Sequence, residues 1–218
     1  MFEGTLHEFV VSVFGVLQRA PNLSNLDIDN VRPRLGLELF IDDPLPNLST
    51  LRVRTFWIGW SSPLLRNLTQ LIMYSPLSTV PPEHTSIETF LKALASCPDL
   101  ETLDLTDIGP NSLNGHQDSC DMVVQLRRLQ DLRLAFSDPS RIGYILSHME
   151  YPESAQLVVQ TDDVRYDPLE AISQVLPYRN VQTIQHFRKS KAIAILLGRV
   201  GFRFSTENLL VGFHKLSR

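Results

Sequence analysis

Apolar residues recur along this chain in a fixed local order: a leucine, then two further apolar residues three and five positions later. The clearest copy is C-P-D-L-E-T-L-D-L from Cys97 to Leu105, where Leu100, Leu103 and Leu105 follow the stop signal of Pro98. Its alternating end has the period of a half-buried strand, whose successive side chains point to opposite faces. The same order returns at Leu23, Leu26 and Ile28, at Leu48, Leu51 and Val53, at Leu68, Leu71 and Met73, and at Leu129, Leu132 and Leu134. A degraded copy has Ser154, Leu157 and Val159, and Val181 with Ile184 opens a weak seventh. Counted on the first positions, the steps are 25, 20, 32, 29, 25 and 27 residues.

Helical periodicity fills most of the intervals. A capping box from Thr5 to Glu8 precedes Leu6, Phe9, Val10, Val13 and Leu17, which predicts a helix from about 6 to 19, stopped at Ala20-Pro21. A second box, Thr85 to Glu88, precedes Ile87, Phe90, Leu91 and Leu94 on one helical face. Met122, Val123 and Leu126 mark a helix leading into Leu129, and Asp138-Pro139 opens another carrying Ile142, Ile145, Leu146 and Met149. Asp167-Pro168 with Glu170 starts a last one bearing Leu169, Ile172 and Leu176. The segment from Phe56 to Asn67 is too short and too rich in tryptophan, serine and proline for a helix, so a loop return is expected there. Trp57 and Trp60 flank Gly59 in that loop, either as partner anchors or, more in keeping with large aromatics, as filling for the space an absent helix leaves.

The L-x-x-L-x-L kernel at steps of this size is that of a leucine-rich repeat, in which each copy buries its apolar face only against a neighbour. The expected fold is α/β: a right-handed solenoid, or horseshoe, with parallel strands on a concave face and irregular helices and loops behind. The array should cover 1–188 in six or seven irregular repeats, with 189–218 as a C-terminal cap or incomplete last repeat. One departure from the ideal pattern stands out. Where the fuller repeat places asparagine or cysteine after the kernel, this chain has Val31, Phe56, Pro76 and Ile108.

Composition narrows the function. A net charge of −4 over 218 residues offers no basic footprint for nucleic acid. Two cysteines, Cys97 and Cys120, are too few for a secreted disulfide framework and point to the cytoplasm or nucleus. The apolar run from Phe9 to Leu17 follows Glu3 and Glu8 rather than basic residues, which argues against a signal peptide. Ala192 to Leu197 is far shorter than the roughly 20 residues a bilayer requires.

Phosphate cradles, dinucleotide fingerprints, zincin motifs and nucleophile elbows do not occur, so no enzyme chemistry and no cofactor is expected. His116 and Cys120 supply two metal ligands where a site needs three or four, and Asp27 with Asp29 reads as a solvated acidic edge. Cys97, placed where a helix packs before its proline, reads as a small buried hydrophobe rather than a reactive thiol.

L-F-I-D-D-P-L-P-N-L-S-T-L-R-V from Leu39 to Val53 and W-S-S-P-L-L-R-N-L-T-Q-L from Trp60 to Leu71 resemble the leucine-rich region of fungal F-box proteins. So do Ser86 to Leu105 and I-L-S-H-M-E-Y-P from Ile145 to Pro152; the resemblance covers roughly Thr5 to Leu176. It implies a substrate adaptor of a cullin-RING ubiquitin ligase, in which an F-box docks on the ligase and the repeats hold the substrate. Nothing in these residues resembles the L-P-x-E-[IL]-L start of an F-box, so the resemblance extends to the substrate-binding part, and the ligase's adaptor subunit is a partner only if an F-box lies upstream. A stand-alone interaction scaffold with no ubiquitin role is the alternative.

Under either reading a protein partner meets the strand residues that alternate with the leucines. The expected contacts are Arg52, Arg54, Gln70, Ile72, Tyr74, Asp104 and Arg133, centred on Ile72 and Tyr74. Adjacent strands lie about 4.8 Å apart, so Asp27 should meet Arg52, Asp29 should meet Arg54 and Asp104 should meet Arg133, leaving an exposed isoleucine beside a tyrosine as the anchor. The competing expectation is that the proline-rich segment from Ser75 to His84 folds over these two side chains and buries them.

Overall fold

The computed structural model of the protein describes residues 20–29, 37–39, 45–54, 56–74, 86–110, 120–161, 192–197, 200–205 and 212–215. The helices expected at 6–19 and after Asp167, the weak copy at Val181 and Ile184, His116 and the segment from Ser75 to His84 lie outside these residues. In chain order the elements are β1 (Asn25–Asp29), β2 (Leu37–Leu39), β3 (Thr50–Arg54), β4 (Phe56–Ile58), β5 (Gln70–Tyr74), α1 (Ile87–Ala95), β6 (Thr102–Thr106) and β7 (Val124–Gln125). They continue with β8 (Asp131–Ala135), α2 (Pro139–Leu146), β9 (Met149–Glu150), β10 (Gln156–Thr161), β11 (Ala192–Leu197), β12 (Val200–Ser205) and β13 (Gly212–Lys215).

The chain is α/β, and its sheet is built by stacking one kernel on the next. Among the described residues the main sheet has the order β1-β3-β5-β6-β8-β10-β11-β12-β13. Every pair from β1 to β11 is parallel, whereas β12 and β13 add antiparallel at the far end. Register follows the kernels without a slip. Leu26, Leu51, Leu71, Leu103, Leu132 and Leu157 form one row across six strands, and Ile28, Val53, Met73, Leu105, Leu134 and Val159 form a second. From β3 onward both rows are buried, while Leu26 and Ile28 on β1 are only half-buried. In the next parallel strand, β11, Ile193 stands opposite Leu157 and Ile195 opposite Val159, extending both rows past Lys189, where the leucine pattern fades.

Backbone hydrogen bonds repeat with the kernels. A tight turn precedes each of five strands, the N–H of Leu23, Leu48, Leu100, Leu129 and Ala155 donating to the carbonyl three residues back. In the next step the carbonyls of Ser24, Ser49, Thr69 and Glu101 each accept from two successive N–H groups on the neighbouring strand. The Ser49 and Thr69 hydroxyls reinforce this ladder by donating to the carbonyls of Ser24 and Ser49, at 3.1 Å each. The copy before β10 is one residue shorter. Its Ala155 is buried in the first kernel place, and Ser154, expected there, is exposed.

Two ways of covering the leucine face alternate. Helix α1 buries Ile87, Phe90, Leu91, Ala93 and Leu94, as its periodicity requires. Its cap is Ser86, whose hydroxyl accepts from the Thr89 N–H, one residue later than the expected box at Thr85; Glu88 instead pairs with Lys92 at 2.6 Å along the helix surface. Helix α2 begins as expected, with Asp138 accepting from the Ser140 N–H and Pro139 in the first turn, but it ends at Leu146, so Met149 belongs to β9. By contrast, the return from Ile58 to Leu68 holds turns and no helix, and Trp60, Leu64 and Leu65 are buried in it. Trp60 meets Phe90 of α1 edge-on, with ring centroids 4.7 Å apart. The packing role expected of the tryptophans therefore holds for Trp60; the side chain of Trp57 is outside the described set.

The helix expected at Met122, Val123 and Leu126 is not formed. Val124 and Gln125 make the short strand β7, paired in parallel with β9, and the N–H groups of Val124 and Leu126 donate to His148 and Glu150. Two consecutive β-branched valines a few residues before the kernel turn leave too little chain for a helical nucleus and favour an extended bridge.

Candidate binding face

Because the leucines turn inward, the intervening residue of each strand turns to the opposite face, and the unbroken register lines these residues up in three rows across the strands. One runs Asn25, Thr50, Gln70, Thr102, Asp131 and Gln156; the middle one Asp27, Arg52, Ile72, Asp104, Arg133 and Val158; the third Asp29, Arg54, Tyr74, Thr106, Ala135 and Gln160. All seven expected contact residues, Arg52, Arg54, Gln70, Ile72, Tyr74, Asp104 and Arg133, lie on this one face. Val158 and Gln160 share it and were missed, although the alternation in Gln156–Thr161 already carried the signal.

The charge pairs formed only in part. Arg54 and Asp29 meet at 3.5 Å, both about half exposed, an arrangement worth about 0–1 kcal/mol. Asp27 and Arg52 stand opposite in register, yet no ion pair joins them among the described residues. Asp104 is opposite Arg133, but its carboxylate accepts from the Tyr74 hydroxyl at 2.9 Å, and Arg133 donates to Gln160 at 3.2 Å. The reason is reach: a tyrosine one strand away delivers its hydroxyl straight to Asp104, while the flexible guanidinium of Arg133 finds Gln160 on its other side.

Ile72 and Tyr74 are half-buried rather than openly exposed. The Arg54 guanidinium lies over the Tyr74 ring at 5.8 Å to its centroid, so Tyr74 links Arg54 to Asp104. Burial foremost holds the Asp104 carboxyl above the usual carboxylate range, against the opposing pull of the Tyr74 hydrogen bond and of Arg133. The Tyr74 hydroxyl is likewise raised, by burial first and then by its hydrogen bond to Asp104 and that residue's charge. Two polar atoms of this face, Arg52 Nε and Asp104 Oδ1, are shut off from solvent and find no hydrogen-bond partner among the described residues.

Polar chemistry elsewhere is structural in its geometry. Asp107, held at φ 49°, accepts from the N–H and hydroxyl of Ser137. Arg141 stacks on Phe136 at 4.6 Å and donates to the carbonyls of Gly109 and Pro110; the positive φ of Gly109, 151°, is one that a side chain would strain. Cys97 is buried, its thiol directed at the Leu65 carbonyl at 3.6 Å and pushed upward in pKa by desolvation, in keeping with a small hydrophobe. A shallow pocket of about 290 Å³ lies against Gln125, Arg127, Glu150, Tyr151 and Pro152 beside β7 and β9; Arg127 is folded back on Gln125, and burial raises the Tyr151 hydroxyl far above its ordinary value.

Among the described residues no three histidine, cysteine or acidic side chains gather as a metal site, and no helix is long and apolar enough to cross a membrane. No protein-family model matches the chain, and neither a curated protein nor a solved structure matches it.

Proposed function

We propose that this chain is a non-catalytic protein-binding domain, a right-handed leucine-rich solenoid whose concave face holds its partner. The observation that carries the reading is the outward face: six consecutive parallel strands in unbroken register present aligned rows of side chains that, apart from the buried Ala135, stay at least partly exposed. An open, ordered array with an aromatic flanked by charge suits a macromolecular surface better than a small molecule, which favours an enclosed cleft. The resemblance of Leu39–Val53 and Trp60–Leu71 to fungal F-box proteins gives this binding a role, substrate recognition for a cullin-RING ubiquitin ligase in the cytoplasm or nucleus. A stand-alone scaffold would use the same face without the ligase.

Affinity purification of the tagged chain from its native cell, followed by mass spectrometry, identifies the partner. Ile72→Ala combined with Tyr74→Ala should then abolish capture while the unfolding midpoint moves little. Unaltered capture, or a collapsed midpoint, counts against the face as the docking site. A pull-down of the ligase's adaptor subunit by these 218 residues should give no complex, since nothing in their sequence resembles the L-P-x-E-[IL]-L start of an F-box; tight binding would reveal a different docking element.

A further inference from the structure

The middle row of the outward face differs from the row beside it. In the latter, Arg54 meets Asp29 on one side and the Tyr74 ring on the other, and Tyr74 donates its hydroxyl to Asp104. In the middle row Arg52 and Asp104 stand on either side of Ile72, which has no polar group to connect them. Each keeps part of its side chain accessible, yet Arg52 Nε and Asp104 Oδ1 are buried without a partner among the described residues. Leaving such groups unsatisfied is costly, and native structures tolerate few of them. The parts of Arg52 and Asp104 that stay accessible put opposite charges on the outward face, two strands apart.

The spacing selects the shape that answers them. Two steps of about 4.8 Å separate the strands of Arg52 and Asp104, with Ile72 midway, or about 9.6 Å in all. A single small ion satisfies one end only. A strand laid across the sheet repeats its same-side residues about every 6.8 Å, out of step with these rungs, whereas a helix places i, i+4 and i+7 on one face over about 10.5 Å. We propose that β3, β5 and β6 dock an amphipathic helix of a partner protein, lying across the strands with an acidic residue over Arg52, an apolar residue over Ile72 and a basic residue over Asp104. This rests on the protein-binding reading of the face and adds the chemistry of the bound element.

The test uses the full 218-residue chain and two fluorescent, alanine-based helical peptides. One carries Asp, Leu and Lys at i, i+4 and i+7; the other carries Asp, Leu and Asp there. Anisotropy titration should show the first binding about tenfold more tightly. Asp104→Lys should reverse that preference, and Asp104→Asn, the gentler change, should equalise the two peptides; circular dichroism checks that each variant is folded. Equal binding of both peptides to the wild type, absence of binding by either, or an unreversed preference in a folded Asp104→Lys chain would overturn the proposal. If the Ile72→Ala, Tyr74→Ala pair abolishes capture of the native partner while the peptides are not distinguished, the face stands and the helix falls. If capture also survives that pair, both readings fall.

Discussion

The returns on either side of β5 solve one problem with different material. Before β6, nine residues of α1 lay Phe90, Leu91 and Leu94 on the leucine face; before β5, a helix-free return covers the same face with Trp60, Leu64 and Leu65. The rungs they cover are equally well sealed, since Leu71 and Leu103 are both buried and stand opposite each other in register. What a kernel demands of its return is therefore apolar volume in the right place, not a particular secondary structure. A tryptophan supplies it in a loop where a turn of helix supplies it elsewhere. The two solutions also meet, because Trp60 packs edge-on against Phe90, so neither return is independent of the other.

Breaking that contact gives the largest expected effect. Trp60→Ala should destabilise the fold by about 3–5 kcal/mol, and the cycle with Phe90→Ala should be non-additive, measured by denaturant titration of the four proteins. Simple additivity would mean that the two returns pack separately. Leu103→Ala and Leu71→Ala should each cost about 2–5 kcal/mol and agree closely; a much smaller value at Leu71 would mean that the loop return collapses into the cavity more readily than the helix does.

Ser86→Ala removes the cap of α1 and should cost about 1 kcal/mol, with no counterpart in the helix-free return. The smallest effect concerns pH. Burial raises the Asp104 carboxyl, so between its unfolded and folded pKa the native state binds the extra proton, and this residue's contribution to stability falls as pH rises through that window. Replacing it by asparagine should remove that slope, so the stability of the wild type relative to Asp104→Asn should rise on acidification. A difference that is constant with pH would place Asp104 in a more hydrated setting than its burial indicates.

The α/β class, the kernel strands β1, β3, β5, β6, β8 and β10 and their register were legible because a leucine kernel admits one inward face, and a slip of one residue would expose it. Helix α2 was legible from Asp138-Pro139 for an equally local reason: a cap and a fixed φ. The failures are those where a neighbour decides. Val123-Val124 reads as one turn of a helix until the Met149–Glu150 bridge claims it, and the shortened turn that seats Ala155 is invisible when Ser154 keeps the count. On the candidate face the residues were legible and their pairings were not. Register puts Arg133 beside Asp104, but side-chain length and the position of Tyr74 decide which group arrives.

Cys97 gives the buried core a reporter of its own. Cys97 is 1% exposed, with its thiol directed at the Leu65 carbonyl, while Cys120 is half-buried, so a thiol reagent meets one site within reach and another that must wait for the structure to open. The two modification rates in one native sample, separated by mass spectrometry, give a reference at Cys120 and, against it, the opening of the packing that α1 and the loop return share. Because cysteine reacts as the thiolate and burial raises the Cys97 pKa, its closed-state reaction is suppressed twice over. The slow phase then times how often the protein breathes there, without a mutation.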